Sequence, residues 1–444
     1  MVKAGVSIID ISPGKGIELA GYPHFLRYNT GIHDPLYASC IIFDDGENKI
    51  ALVCMDLLFF SKKYVKEVRE RASKKIDIKS NNIMISCSHT HSGPWASGRL
   101  DLEAMERGLN PDYDYVKDLK NKIVDLIIKA NNNMFEAKVG SDFDICGKEC
   151  GVGGNRRSPD GISDPQVWVI GVKDLKDNFK AAFVKYSLHP TVIHEDSTLV
   201  TADYPGYIRK YLLGKTPEMI MLFAQGTSGD QSTRYFRKDQ NYSEAERIGS
   251  EIGKTANKIL DTLDYSQKLK LFVESKEKDL DLRILPSEDE ALKNVEITRK
   301  KLEELKNKNA SYLEVQNANL QNLGAECTLG YVKLKNKNIP IELEVDELPA
   351  EVQVVGIGDT MIVGLQGEIF VEFGLEIQKR SPFKKTIVVE LANGVLPGYV
   401  CTGEAIKEGG YEVGTTLLTG NSGMMLVDAA VELLYKRKKN EQLG

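Results

Sequence analysis

Short apolar runs rich in β-branched residues alternate along the chain with longer stretches whose apolar positions recur at helical spacing. The short runs predict strands over Ile50 to Met55, Ile83 to Cys87, Gln166 to Val172, Ala181 to Leu188, Met219 to Ala224, Val352 to Ile357, Thr360 to Leu365 and Thr386 to Leu391. Helical spacing predicts a helix capped at Asn110, with Pro111 in its first turn and Val116, Leu119, Ile123, Leu126 and Ile127 along one face. A second helix is expected to open on a capping box of Ser243 and Glu246 and to turn Ile248, Ile252, Ala256 and Ile259 inward. A third starts at Ser287 with Glu290 three residues on; its charged tract to about Asn309 predicts a solvated helix inside an insertion around 286–324, without chemistry of its own. Such alternation predicts an α/β protein of mixed β-sheets flanked by helices, not separate all-α and all-β modules.

Composition narrows the function classes. With 444 residues and 42% apolar content the chain can bury a large core. Its 58 basic and 64 acidic residues leave a net charge of -6, which offers no basic surface to a phosphate backbone, so no nucleic-acid partner is expected. The start Met1-Val2-Lys3-Ala4 carries no leader-like apolar stretch and no run is long enough to span a bilayer, which predicts a soluble, cytoplasmic protein without an integral membrane segment. Seven scattered cysteines fit reduced thiols. Cys146 and Cys150 have no second pair to complete a zinc knuckle.

Residues able to do chemistry cluster just past the C-terminal ends of the apolar runs: Asp56, His89, His91, His189, Asp230, Ser232, Glu368 and Asn393. In open α/β sheets ligands bind beyond those ends, so these segments are expected to converge on one site. Histidine is scarce, six in all, and three of the six fall there. In an extended segment residues two apart face the same side, so His89 and His91 can address one metal or one substrate; a polar strand end bonded to nearby backbone is the plainer reading of the same pair. His89, His189 and a carboxylate such as Glu368 would suffice for zinc. A metallo-β-lactamase motif does not fit, because Ser92-Gly93-Pro94 follows where an Asp and a His should stand.

The wording of Ser88-His89-Thr90-His91-Ser92-Gly93-Pro94 closely resembles the signature of the neutral ceramidase family. Other segments resemble that family in the same order: Asp10-Ile11-Ser12-Pro13, Gly31-Ile32-His33-Asp34-Pro35, His189-Pro190-Thr191, Asp203-Tyr204-Pro205-Gly206, Gly226 to Ser232, Gly367-Glu368, and Ala392-Asn393-Gly394 through Tyr399 to Tyr411. The resemblance runs from about residue 4 to residue 425 and implies a single catalytic domain over 1–444, without the family's C-terminal immunoglobulin-like domain.

Carried over residue by residue, it implies zinc held by His89, His189, Glu368 and Tyr399, with His91, Tyr411 and Arg156 of the Asn155-Arg156-Arg157 loop around the substrate carbonyl, and His33, Asp230 and Asn393 on the substrate. Ser232 is a further catalytic candidate, though no base stands beside it in the sequence and a zinc-activated water makes a serine nucleophile unnecessary. The implied reaction is zinc-dependent hydrolysis of an N-acyl amide, ceramide-like or smaller, with a small-molecule or lipid-like partner. An ester, a lactone or acyl transfer are alternatives on the same fold, and a metal-free binding protein is the competing class. The chain departs from the family where Pro-Asn is expected after Ser232: it has Thr233-Arg234, which brings an extra charge to the site wall.

Overall fold

The computed structural model describes residues 1–22, 25–97, 112–339, 341 and 347–443. Its frame is two sheets. The larger is built from β1 (Lys3–Asp10), β2 (Tyr37–Asp44), β3 (Lys49–Met55), β4 (Ile83–Cys87), β5 (Phe135–Ile145), β6 (Gln166–Asp174), β7 (Phe179–Tyr186) and β8 (Ile220–Gln225) in the order β8-β7-β6-β5-β1-β2-β3-β4. The smaller runs β9 (Leu271–Lys278), β10 (Ala350–Ile357), β11 (Thr360–Leu365) and β12 (Lys385–Val389) in sequence order. Most neighbours are antiparallel, but β3 with β4, β7 with β8 and β11 with β12 are parallel.

Those parallel pairs each need a crossover, and helices supply it. The helices are α1 (Lys62–Ser73), α2 (Tyr113–Asn132), α3 (Tyr204–Lys215), α4 (Tyr242–Thr262), α5 (Glu288–Asn307), α6 (Tyr312–Asn336), α7 (Val371–Arg380) and α8 (Ser422–Leu443). α1 lies between β3 and β4, α3 between β7 and β8, and α7 between β11 and β12.

Alternation along the strands sorts the core into layers. In β2, Cys40 and Ile42 face α1 and α2, whereas Ile41 and Phe43 face the smaller sheet. In β8, Met221 and Phe223 meet α3 and α4, and Leu222 and Ala224 turn the other way. Ile362 and Ile387 of the smaller sheet join that middle layer, while Met361 and Val363 pack under α7 and α8. Both faces of most strands are therefore buried, which is why they read as continuous apolar runs.

The α/β expectation with mixed sheets and flanking helices holds. The capping box of Ser287 and Glu290 at α5 is present. The cap of α4 differs: Asn241 accepts from the Glu244 amide, and Ser243, expected as the cap, donates to Asn241 instead. Asn110 and Pro111 lie outside the described residues, and Asp112 caps α2 by accepting from the Tyr115 amide. The helical segment also runs beyond 324, because α6 continues to Asn336 and is pinned to the site side of the fold. Thr328 Oγ1 donates to the Gly414 carbonyl at 2.8 Å and the Tyr331 hydroxyl to that of Thr415 at 3.0 Å.

Candidate metal centre

The chain leaves β4 at Cys87, and the amides of Ser88 and His89 donate to the carbonyls of Met55 and Leu57, each at 2.8 Å. His89 then takes φ of 70°, a left-handed conformation that a β-carbon disfavours. The alternation expected of an extended His-x-His segment therefore does not apply. Across the kink, His91 Nε2 comes within 3.3 Å of His89 Nε2. His189, three residues past β7, brings its Nε2 to 3.0 Å from that of His89. Glu368, just past β11, sets Oε2 at 3.2 Å from both His89 and His189. The loop after β8 presses against the carboxylate's own backbone, where a side chain at Gly229 would meet the Glu368 carbonyl oxygen at 3.0 Å.

Hydrogen-bond bookkeeping identifies what this cluster lacks. His189 Nδ1 lies 2.7 Å from the Ser228 carbonyl and His89 Nδ1 3.3 Å from that of Leu58. A carbonyl only accepts, so each Nδ1 carries the hydrogen and each Nε2 is left with a lone pair. Two lone pairs and a carboxylate oxygen thus converge, buried, with no hydrogen between them. They repel one another unless a cation sits in their midst. Imidazoles fixed through the far nitrogen by a carbonyl are the usual arrangement of metal-ligating histidines.

The electrostatics agree. Burial, with Arg156 and His89 nearby, pushes the pKa of His189 down to about 3. Burial likewise holds His91 well below the ordinary imidazole value, helped by His89 and His189. Burial pushes the Glu368 carboxyl up, and only positive charge at the His89 and His189 rings, a ring proton or a bound cation, pulls it well below the usual carboxylate range. Nitrogen lone pairs and an ionised carboxylate are what a zinc-like ion requires. The ring nitrogens of His89, His91 and His189 all lie within 4.8 Å of one another, so the group can hold a metal.

Tyr399 pairs with Glu368 in a short parallel ladder, stacks on His189 at 6.4 Å between ring centroids, and lies beneath the Arg156 guanidinium at 5.1 Å. Burial raises the phenol pKa of Tyr399, reinforced by Glu368, and burial raises that of Tyr411 too. Two cavities meet at this wall, both touching Gly21, His91, Tyr399 and Tyr411. The inner one, about 70 Å³, is lined mainly by Leu58, Phe59, Trp95, Cys327 and Tyr331. The outer one, about 150 Å³, carries Arg156, Arg234, Arg237, His194 and Glu195. Gly21, at φ of 104°, is a glycine by necessity: a β-carbon there would lie 2.5 Å from His91 Cβ.

A family model described as neutral/alkaline non-lysosomal ceramidase, N-terminal, matches residues 2–143. Over that stretch the chain is similar to the neutral/alkaline ceramidases. The neutral ceramidase of Drosophila melanogaster is 24% identical over 258 residues, a stretch that is 52% of this chain and 36% of that protein. Neutral ceramidase B of Dictyostelium discoideum is 26% identical over 260 residues, 51% of this chain and 35% of its own length. The chain thus spans well under two thirds of the curated relatives it matches. The crystal structure of the neutral ceramidase from Pseudomonas aeruginosa superposes with a TM-score of 0.72 over 98% of this chain and 75% of that one. At 20% identity that likeness is one of fold.

The structure brings His89, His91, His189, Glu368, Tyr399, Tyr411 and Arg156 together around the two cavities. Arg156 donates through Nε to Glu412 at 2.8 Å, and its buried Nη2 has no hydrogen-bond partner. Arg157 turns away to Glu408 and Glu412. Ser232 lines the outer cavity with its hydroxyl accepting from the Arg234 amide. The other three nominated residues line neither cavity. Asp230 accepts from the Val371 amide and from Asn155 Nδ2. Asn393 pins β4, accepting from the Ile85 amide and donating to Gln353. His33 is exposed, stacked on Tyr242 at 3.6 Å.

Sequence reasoning missed Ser228 and Arg27. Ser228 orients His189 through its carbonyl. Arg27 donates to the carbonyls of His91 at 2.6 Å and Ala20 at 2.9 Å. A backbone carbonyl leaves no mark on residue type; Arg27, a cation six residues past Gly21, was at least visible.

Proposed function

We propose that the chain is a zinc-dependent amidohydrolase that cleaves an N-acyl amide with water, releasing a carboxylic acid and an amine. The observation that carries this reading is the convergence of His89 Nε2, His189 Nε2 and Glu368 Oε2 within 3.2 Å of one another without a hydrogen between them. His89, His189 and Glu368 would hold the ion, with Tyr399 beside Glu368 as a further oxygen donor. When bound, zinc supplies Lewis acidity, polarising a carbonyl and lowering the pKa of a water to about 7.

The chain's own groups do the rest. Tyr411 and Arg156, which line the outer cavity, would donate to the carbonyl oxygen as it gathers charge on addition of water, and donors fixed in a dry site stabilise that charge. His91 differs from the other two imidazoles in that its Nδ1 has no carbonyl to anchor it. That makes this neutral ring the one free to take a proton from the attacking water and pass it to the departing amine. The apolar inner cavity suits the acyl half, so a ceramide-like or smaller N-acyl compound is the substrate class. The family's named ceramidases support an amide of this kind. Metal analysis together with hydrolysis of N-acyl compounds graded from acetyl to palmitoyl tests the reading. About one zinc per chain and zinc-dependent acid release are the expected result; a chain that gains no activity on adding zinc overturns it.

A further inference from the structure

The outer cavity holds cations that the protein itself leaves unmatched. Several guanidiniums elsewhere meet carboxylates, as Arg69 does Glu351, Arg209 Asp56, Arg247 Glu244 and Arg380 Asp428, while Arg27 and Arg283 spend their donors on backbone carbonyls and a hydroxyl. Among the described residues, no ion pair joins Arg234 or Arg237 to a carboxylate. Arg234 spends Nη1 on the Arg156 carbonyl at 3.1 Å and on Asn317 Oδ1 at 3.5 Å. Arg237 spends its Nη1 on the Thr191 carbonyl at 3.3 Å and on His194 Nε2 at 2.9 Å. The two sit one turn apart, since the Arg237 amide bonds back to the Thr233 carbonyl at 2.8 Å, and both line the same cavity as Arg156. Glu195 is the acid on that wall, and it leans on His194 at 3.2 Å.

Arg234 and Arg237 are half-buried with donors that no acceptor among the described residues takes up, and an oxyanion can pair with such donors through charge-assisted bonds. Burial pushes Arg234 and Arg237 below the ordinary guanidinium value, and Arg156 adds to the effect at Arg234. The cavity, about 150 Å³, has room for about five waters, enough for a small charged group. It shares Gly21, His91, Tyr399 and Tyr411 with the apolar pocket, so the amine half of an N-acyl substrate would lie in it if the acyl half fills that pocket.

We propose that the amine half of the substrate carries an oxyanion, a carboxylate or a phosphate, held by Arg234 and Arg237, so that the preferred amide is anionic and not a neutral amino alcohol. This rests on the amidohydrolase reading for the position of the amide, while the anion site can be tested without turnover.

The experiment uses the zinc-loaded protein and matched dodecanoyl amides of glycine, of O-phosphoethanolamine, of ethanolamine and of sphingosine. At least one of the two anionic amides should exceed both neutral ones in kcat/KM by tenfold or more, and the better of the two names the anion. Arg234→Ala should shrink that preference by roughly 10- to 100-fold, the value of a charge-assisted contact. Arg237→Ala should shrink it too, and zinc content in both variants checks that they fold. Calorimetric binding of the same amides supplies the second readout. If none is hydrolysed, the amidohydrolase reading falls, yet tighter binding of an anionic amide, weakened in Arg234→Ala, still upholds the anion site. A neutral amide that is preferred, or a preference untouched by both substitutions, overturns it.

Discussion

On one side of the wall made by His91, Tyr399 and Tyr411 the cavity is walled by Leu58, Phe59, Trp95 and Tyr331; on the other it is walled by Arg156, Arg234 and Arg237. The inner side has side chains that exclude water, and the outer side has cations with donors to spare. The inner chamber also takes in His89 and Glu368 of the lone-pair cluster. An amide has the same division, an acyl half and an amine half joined at the carbonyl, so each chamber can select its own half while the reacting atoms stay at the boundary. Neither chamber does chemistry alone.

The sharpest way to break the contrast is to remove the boundary. His189→Ala takes away one of the converging lone pairs, so metal content should fall from about one ion per chain towards none and hydrolysis should fall to background for every acyl length. Metal that remains at full stoichiometry in that variant would show that the cluster is not the binding site. Tyr411→Phe leaves the ligands in place and removes a donor that both cavities share. The expected loss is about 10²- to 10³-fold in kcat with metal retained, as for other single donors to a developing oxyanion. A drop confined to KM would move Tyr411 from the reacting carbonyl to the binding of one half only.

Two smaller changes separate the chambers. Cys327→Phe intrudes on the inner cavity alone. It should lower kcat/KM for palmitoyl relative to acetyl amides by roughly 10- to 100-fold while leaving the choice between amine halves alone. Ser228→Ala removes the hydroxyl that donates to Glu390 at 2.6 Å behind His189, and should weaken metal affinity by about 10- to 100-fold, read by chelator competition.

A further effect, on stability and not on turnover, concerns the support of the outer chamber. Burial raises the pKa of Asp203 to about 6, although the amides of Ile193, Tyr204 and Val192 pull it the other way. The folded chain therefore binds more protons there than the unfolded chain, whose carboxyl titrates near 3.8. That stabilisation is complete below the unfolded value and is lost as pH rises through about 6, a change of about 3 kcal/mol. Denaturant unfolding of the wild type and Asp203→Asn across pH 4 to 7 measures it. Wild-type and variant curves of equal slope would remove Asp203 as the cause.

His89, His189 and Glu368 were legible because each follows an apolar strand, and a polar residue at that place reads as a site. The same rule nominated Asp230 and Asn393, which spend their side chains on the amides of Val371 and Ile85 instead. Buried backbone donors beyond a strand end must be satisfied, and residue type cannot tell that duty from contact with a substrate. Tyr399 and Tyr411 were legible only through family resemblance, since buried tyrosines are ordinary packing elsewhere. The inner wall was hidden altogether. α6 brings Cys327 and Tyr331 to it from just beyond the insertion expected to carry no chemistry, and only the bonds of Thr328 and Tyr331 to the segment after Tyr411 show why it docks.

The lone-pair cluster draws on both sheets, with His89 and His189 following strands of one and Glu368 following a strand of the other. A ribosome has therefore delivered both imidazoles long before the carboxylate emerges, and a nascent chain has an incomplete donor set until the smaller sheet forms. An ion captured there would rivet the two sheets across 279 residues of sequence, so metal loading should act as a late seal on folding, slowing separation of the layers and cleavage by proteases.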